Sequence, residues 1–184
     1  MKTMIMVLIL TTVLLNTLPA SAGMFMQVEG QMILQNGKEK PQINAVVNVP
    51  ITGSLTLTGF GLVKQGWSQF HVGPTWSPSK HCQFGLRAGV EQAHGMWRTA
   101  GTLWMGNGTV SSFSVYERGA GGSWYKSVTT VPVLANTRLG LFGQKFAGWG
   151  LVVEYKLVHG KVWAAELLRS NETPTVIIAL DVTN

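Results

Sequence analysis

Gln83-Phe84-Gly85-Leu86-Arg87-Ala88-Gly89-Val90, continued by Glu91, is the stretch whose reading decides the fold. Phe84, Leu86, Ala88 and Val90 share one parity with Cys82, while Gln83, Gly85, Arg87, Gly89 and Glu91 occupy the other. Successive strand side chains point to opposite faces. The segment is therefore a ribbon with one apolar side and one polar side. Gly150 to Lys156 repeats the pattern, with Leu151, Val153, Tyr155 and Leu157 opposite Glu154 and Lys156. The apolar side must face either a protein core or lipid, and the rest of the chain weighs between the two.

Working outward, strand-like runs separated by turn residues recur along the chain, and none shows sustained helical periodicity. They are read as 24–34, 42–49, 53–63, 67–76, 82–92, 96–105, 109–117, 123–133, 136–144, 147–158, 161–169 and 174–183. Most approach the ~9–11 residues of a tilted membrane strand. Asn36-Gly37, Ser77-Pro78, His94-Gly95, Gly106-Asn107-Gly108, Gly119 to Gly122 and His159-Gly160 supply the turns. The expected fold is all-β: a closed, antiparallel up-and-down transmembrane β-barrel of about 12 strands. Pro50 and Pro132 blur the ends of their runs, which leaves ten strands as the alternative count.

Met1 to Ala22 lies outside this pattern. Lys2, an apolar run from Met4 to Leu15 and the ending Ala20-Ser21-Ala22 predict a secretory signal peptide over 1–22. A single barrel domain, 23–184, follows. Cys82 is the one cysteine, which excludes an internal disulfide. Charged residues make up 12% of the chain, against about 25% in ordinary soluble domains. Export, absence of disulfides and sparse charge together point to a bacterial envelope protein, with the periplasm as the alternative location to the outer membrane.

The placement of charge sharpens the reading. With the apolar stripe taken as the outside, the inward acids are Glu29, Glu91, Glu117, Glu154, Glu166 and Asp181, and the inward bases are Arg87, Arg98, Lys126, Arg138 and Lys156. Gln69 and His71 share that parity. This nearly balanced set is expected to line and partly plug a lumen, because a lone buried charge is strongly destabilising. Gly85, Gly89, Ala100, Gly140, Gly150 and Ala164 fall on the same face and relieve crowding, while Phe60, Val115 and Ile177 are apolar exceptions. Trp67, Trp76, Trp97, Trp104, Tyr116, Trp124, Trp149 and Trp163 lie near strand ends, as interfacial girdles do.

A soluble, lipocalin-like periplasmic barrel binding an apolar ligand shows the same alternation with its faces reversed. Sparse charge, the export segment and the aromatic positions favour the membrane form. On the Ala20-Ser21-Ala22 ending, the Gln83–Glu91 alternation and Trp149-Gly-Leu-Val-Val-Glu-Tyr-Lys156, the mature chain resembles the small bacterial outer-membrane β-barrels, including porin-like proteins. That resemblance implies insertion by the barrel assembly machinery and residence in the outer membrane. The chain ends Asp181-Val-Thr-Asn184, where members commonly end on an aromatic residue.

If both termini are periplasmic, the opposite turns carry Lys38, Lys40, Lys64, Arg118, Lys145 and Arg169, whereas the near turns hold only Lys80 and Lys161 among the bases. The outer basic rim is expected to contact outer-membrane lipids, in particular the phosphates of outer-leaflet glycolipid. No clustered basic stripe with a recognition element points to nucleic acid. His71, His81, His94, His159 and Cys82 lack tight metal-ligand spacing, and no G-x-S-x-G elbow, Walker loop or dinucleotide fingerprint occurs. No catalytic residue, metal or cofactor is expected. A lipid-modifying outer-membrane enzyme is the minor alternative to a narrow pore or structural envelope barrel.

Overall fold

The two-residue turn at Asn36-Gly37 sets the first hairpin: φ is 52° at Asn36 and 70° at Gly37, the pair of positive values that a primed turn requires. A computed structural model describes residues 23–92, 97–170 and 172–184. In it the strands are β1 (Phe25–Gln35), β2 (Lys38–Pro50), β3 (Leu55–Lys64), β4 (Trp67–Ser79), β5 (Cys82–Glu91) and β6 (Trp97–Gly106). They continue as β7 (Ser111–Gly119), β8 (Gly122–Leu134), β9 (Thr137–Gln144), β10 (Gly148–Leu157), β11 (Gly160–Leu168) and β12 (Thr175–Thr183). Each strand pairs with the next, and β1 pairs with β12 to close the barrel. Closure removes every sheet edge, as a hydrocarbon surround demands. The expected segment 1–22 and the His94-Gly95 turn lie outside the described residues.

The expected strands are all present. The largest boundary difference is at β2, which begins at Lys38 rather than 42. Its first rungs pair Gln35 with Lys38, Leu34 with Glu39 and Ile33 with Lys40. The tight turn carries the ladder to the last rung, where side chains stand clear of the apolar band and have no need to alternate. Pro50 closes β2, and the β8–β9 ladder shifts register between Pro132 and Leu134. A proline cannot donate to the ladder, so the strand bulges there instead of ending.

The outer surface is apolar. Leu86 and Leu151 are each 71% exposed, far more than a water-facing barrel would leave across its wall. At the end opposite the chain termini, called the distal end below, Trp97, Tyr116 and Trp149 stand exposed on this face. At the terminal end Trp76 and Phe84 stack there, 6.2 Å apart.

The other four tryptophans of the expected girdle point inward. Trp124 pairs with Glu117, Trp163 with Glu154 and Trp104 with Gln83, and Trp67 Nε1–H donates to the inward Gln69 Oε1 at 3.2 Å. Each sits near a strand end, but on the lumenal parity. Inside, three of their indole N–H groups find acceptors that lipid cannot offer. Trp163 donates to Glu29 at 2.8 Å and Trp104 to Ser111 at 3.2 Å.

Two inward assignments on β11 are also corrected. Glu166 pairs with Leu151 and Val176, and Ala164 with Val153 and Ile178, so both lie on the lipid-facing parity. Trp163, Ala165 and Leu167 occupy the lumenal one. Glu166 is two residues from the distal end of its strand, near the interface. There a lipid-facing carboxylate costs only about 0–1 kcal/mol.

The apolar packing of the fold lies inside the barrel, on one side. Phe142, Val152, Trp163, Ala165, Leu167, Ile177 and Ala179, from β9 to β12, form a buried cluster with Ile33 and Val128 packed against it. Leu167 and Ile177 are fully buried. That wall is filled, which leaves the open lumen eccentric.

Candidate functional site

Two cavities occupy the lumen among the described residues, one of about 520 Å³ on the distal side and one of about 510 Å³ on the terminal side. Gln42, Leu62, Glu117, Trp124 and Gln144 line both. These five residues form the belt at which the two vestibules adjoin.

The charged wall runs across β4 to β7. Alternation on these strands delivers Gln69 and His71, Arg87 and Glu91, Arg98, and Glu117 to one face. Arg98 links Glu91, which its Nη1 contacts, to Glu117, whose Oε2 accepts from Nε at 2.8 Å. Gln69 Nε2 adds bonds to both Glu117 oxygens at 3.3 and 3.1 Å. Glu91 Oε1 also accepts the Gly121 backbone N–H at 2.5 Å, fastening the β7–β8 turn to the network. His71 is fully buried, stacks on Phe60 at 5.1 Å, and places Nε2 3.8 Å from Glu117. Glu91, Arg98, Glu117 and Gln69 thus form a connected hydrogen-bonded network, while neither ring nitrogen of His71 has a hydrogen-bond partner among the described residues.

On the other side, charges skirt the apolar wall. Glu29 accepts from Trp163, Gln31 and Asn44, the last at 2.9 Å, and lies 3.8 Å from Lys126 Nζ. Lys126 starts on β8 and passes over the rings of Phe142 and Trp163 at 5.3 and 5.2 Å. It thus makes a chord across the lumenal side of the apolar cluster. Nearer the terminal mouth, Lys161 pairs with Glu154 at 2.5 Å. Arg138 donates to the Thr130 hydroxyl and carbonyl at 2.9 and 2.8 Å, and Asp181 accepts from Gln27 at 2.7 Å.

Of the residues singled out in the sequence, Glu29, Gln69, His71, Arg87, Glu91, Arg98, Glu117, Lys126, Arg138, Glu154 and Asp181 lie on the inward face. Lys156 shares that parity opposite Lys161 but is exposed at the terminal mouth. Glu166 does not share it. Phe60, Val115 and Ile177 point inward, the first two into the terminal vestibule and the third into the apolar cluster. Lys161 was assigned to a turn, yet its ammonium reaches the lumen. The signal that finds it is the tight β10–β11 hairpin, whose register sets Lys161 beside Lys156 and Trp163 beside Glu154.

The basic rim divides. Lys40, Lys64 and Lys145 line the distal vestibule, whereas Lys38 is exposed at the first turn and Arg118 is exposed on the outward parity beside Thr99 and Ser123. Arg169 pairs with Glu172 at 3.0 Å. Among the described residues, Lys40, Lys64 and Lys145 have no carboxylate oxygen within 4.0 Å. Lys40 donates to Gln35 at 2.8 Å, and Lys145 donates to the Ser123 carbonyl and hydroxyl, both at 2.7 Å. Lys64 and Lys145 stand over Trp67 and Phe146 at 5.8 and 4.9 Å. The distal mouth is therefore a cationic, aromatic-lined funnel. Among the described residues, no group of three or more His, Cys, Asp or Glu is placed to hold a metal ion.

No family model matches the chain, and no curated protein matches it either. Among solved structures, a KdgM porin superposes with a TM-score of 0.56 at 9% identity, covering 85% of this chain and 98% of that one. The barrel is porin-like. A KdgM porin in complex with disordered oligogalacturonate gives 0.54 at 10% identity, with 86% and 98% covered. A NanC porin gives 0.49 at 9%, with 85% and 98% covered. At these identities the likeness is one of fold. What sets the chemistry of this porin-like barrel is its own lining: a filled apolar wall, an ion-paired wall facing it, and uncompensated lysines at one mouth.

Proposed function

We propose that the protein is a narrow pore of the bacterial outer membrane that admits small hydrophilic solutes bearing negative charge. The observation that carries this reading is the distal funnel. Lys40, Lys64 and Lys145 enter it without carboxylate partners, while Arg98 and Lys126 deeper in the lumen are neutralised. Uncompensated charge at a low-dielectric mouth concentrates counter-ions and accelerates their entry. Paired charges deeper in contribute little selectivity of their own. The apolar wall and the Lys126 chord act as the partial plug, confining the path to the side lined by β2 to β8. Lysines beside Trp67 and Phe146 suit a solute with both an anionic group and a flat apolar face, as sugar acids have. The oligogalacturonate of the KdgM complex is an anion of this class and the first solute to try.

The same funnel redirects the basic rim. Lys40, Lys64 and Lys145 serve solute and Arg169 is held by Glu172, leaving Lys38 and Arg118 as the bases available to outer-leaflet glycolipid phosphates. Purified protein in planar bilayers under a potassium chloride gradient tests the pore. Conductance with a reversal potential on the chloride side is expected. A silent membrane over a range of voltage and salt would leave a structural barrel, and a reversal potential on the potassium side would overturn the anion preference.

A further inference from the structure

Within the terminal vestibule one cation is bonded to none of the networks described above. Arg87 is nine-tenths buried, yet among the described residues it has neither an ion pair nor a hydrogen bond, and its Nε is both enclosed and without a partner. Its guanidinium rests on the Phe60 ring at 5.3 Å and lines the vestibule. Glu117 attracts it through space without touching it, and a buried cation with no carboxylate in contact is costly. Lumenal water relieves that cost only in part, because Nε is enclosed.

The surroundings are shaped for a ligand. Thr102 is the diagonal neighbour of Arg87 across the β5–β6 ladder, since Arg87 pairs with Ala100 and Gly85 with Thr102. Thr102 lines the same vestibule and its hydroxyl makes no hydrogen bond among the described residues. Thr75 flanks the other side of Gly85. Its hydroxyl bonds to that of Thr58 at 2.8 Å, and Thr58 in turn donates to Asn48 at 2.7 Å. That chain commits the Thr75 proton and leaves Thr102 as the free donor. Gly85 supplies the notch into which the Thr102 hydroxyl leans: a Cβ there would strike that hydroxyl and lie 3.0 Å from that of Thr75.

We propose that Arg87 and Thr102, over the notch at Gly85, form a carboxylate-binding station in the terminal vestibule, separate from the lysine funnel. The guanidinium offers its fork to both carboxylate oxygens and the hydroxyl supplies a further donor. The Phe60 ring fixes the guanidinium plane from below. The proposal names a stopping point for the anionic solutes of the pore reading and rests on that reading for its purpose. Its binding chemistry can be tested without conduction.

Detergent-solubilised, uniformly ¹⁵N-labelled protein is titrated with sodium acetate, using sodium chloride at matched ionic strength as control. The Arg87 Nε–H resonance, assigned by its absence in Arg87→Lys, is expected to move saturably with acetate and not with chloride. Thr102→Val is expected to weaken acetate binding roughly threefold and Arg87→Lys about tenfold, the latter read from the Thr102 amide. Gly85→Ala should abolish binding while the fold, checked by heat-modifiable electrophoretic mobility, is retained. An unmoved Arg87 resonance, an equal response to chloride, or unchanged affinity in Thr102→Val and Gly85→Ala would each overturn the station. A saturable shift in a protein that does not conduct would keep the station and sink the pore.

Discussion

The two walls of the lumen were built from the same strand alternation but do opposite things. On β9 to β12 the inward positions hold Phe142, Val152, Trp163, Ala165, Leu167 and Ile177, packed together as one buried apolar cluster. On β4 to β7 the inward positions hold Gln69, Glu91, Arg98 and Glu117, joined by charge-assisted hydrogen bonds, with His71 packed beside them. One wall gains stability from burial and leaves no space. The other holds its charges in fixed positions beside open volume. The lesson is that a barrel of this size need not be uniformly polar inside: it can devote one half to a core and keep the other as a path.

The largest effect expected from breaking this contrast comes from the charged wall. Arg98→Ala leaves Glu91 and Glu117 buried without their cation, and should cost about 3–5 kcal/mol of stability. Urea unfolding in detergent micelles reads that loss, and Arg98→Lys should recover only part of it, because two carboxylates are held by one fork. Leu167→Ala, in the opposite wall, should cost about 2–5 kcal/mol through the cavity it opens. Its single-channel conductance should stay near that of the parent, because the cavity lies behind Lys126 and Trp163.

Replacing Lys40, Lys64 and Lys145 together with glutamine should shift stability by no more than about 0.5 kcal/mol per site, as for surface changes. The same triple change should move the reversal potential toward zero. A large loss of stability with unchanged selectivity would make the funnel part of the scaffold instead. The smallest effect belongs to Glu166→Leu, expected to change stability by less than about 1 kcal/mol, in either direction. Glu154→Leu, by contrast, strands Lys161 and should be clearly destabilising in the same urea titration.

Much of this was legible beforehand. Alternation around Arg87 and Glu154, the turn residues and the sparse charge suffice for a closed barrel of twelve strands, with most boundaries within two residues. The β11 error has a physical cause. Val162, Ala164 and Leu168 are apolar, but so are Trp163, Ala165 and Leu167, so neither parity is marked as polar. Assigning inwardness by the one mid-strand charge, Glu166, rather than by Lys161 at the strand's start, then turns the strand over. The β10–β11 hairpin register, with Leu157 opposite Gly160, would have corrected it, because an inward Glu154 forces Trp163 inward. The same logic explains the tryptophans: position near a strand end is a necessary mark of a girdle, whereas parity decides which side of the wall the ring occupies.

The vestibules could not be read from spacing. Lys40 and Lys64 read as turn residues, yet they stand on rungs close to the ends of the β1–β2 and β3–β4 ladders, opposite Ile33 and Trp67, and so turn inward. Lys145 does sit at a turn and has no parity to follow; its lean over the mouth depends on its contact with Ser123. The partition into a filled and an open wall depends on which inward faces become neighbours on closure. That requires the ring order of twelve strands rather than any one hairpin.

The central claim, that solute passes along the charged wall and not the apolar one, is tested most directly by cysteine accessibility during conduction. With Cys82 replaced by serine, Thr102→Cys and Ala165→Cys place one thiol on each wall. A charged, membrane-impermeant methanethiosulfonate reagent should change the current through Thr102→Cys and leave Ala165→Cys unaltered. Modification of Ala165→Cys with Thr102→Cys unreactive would contradict the account.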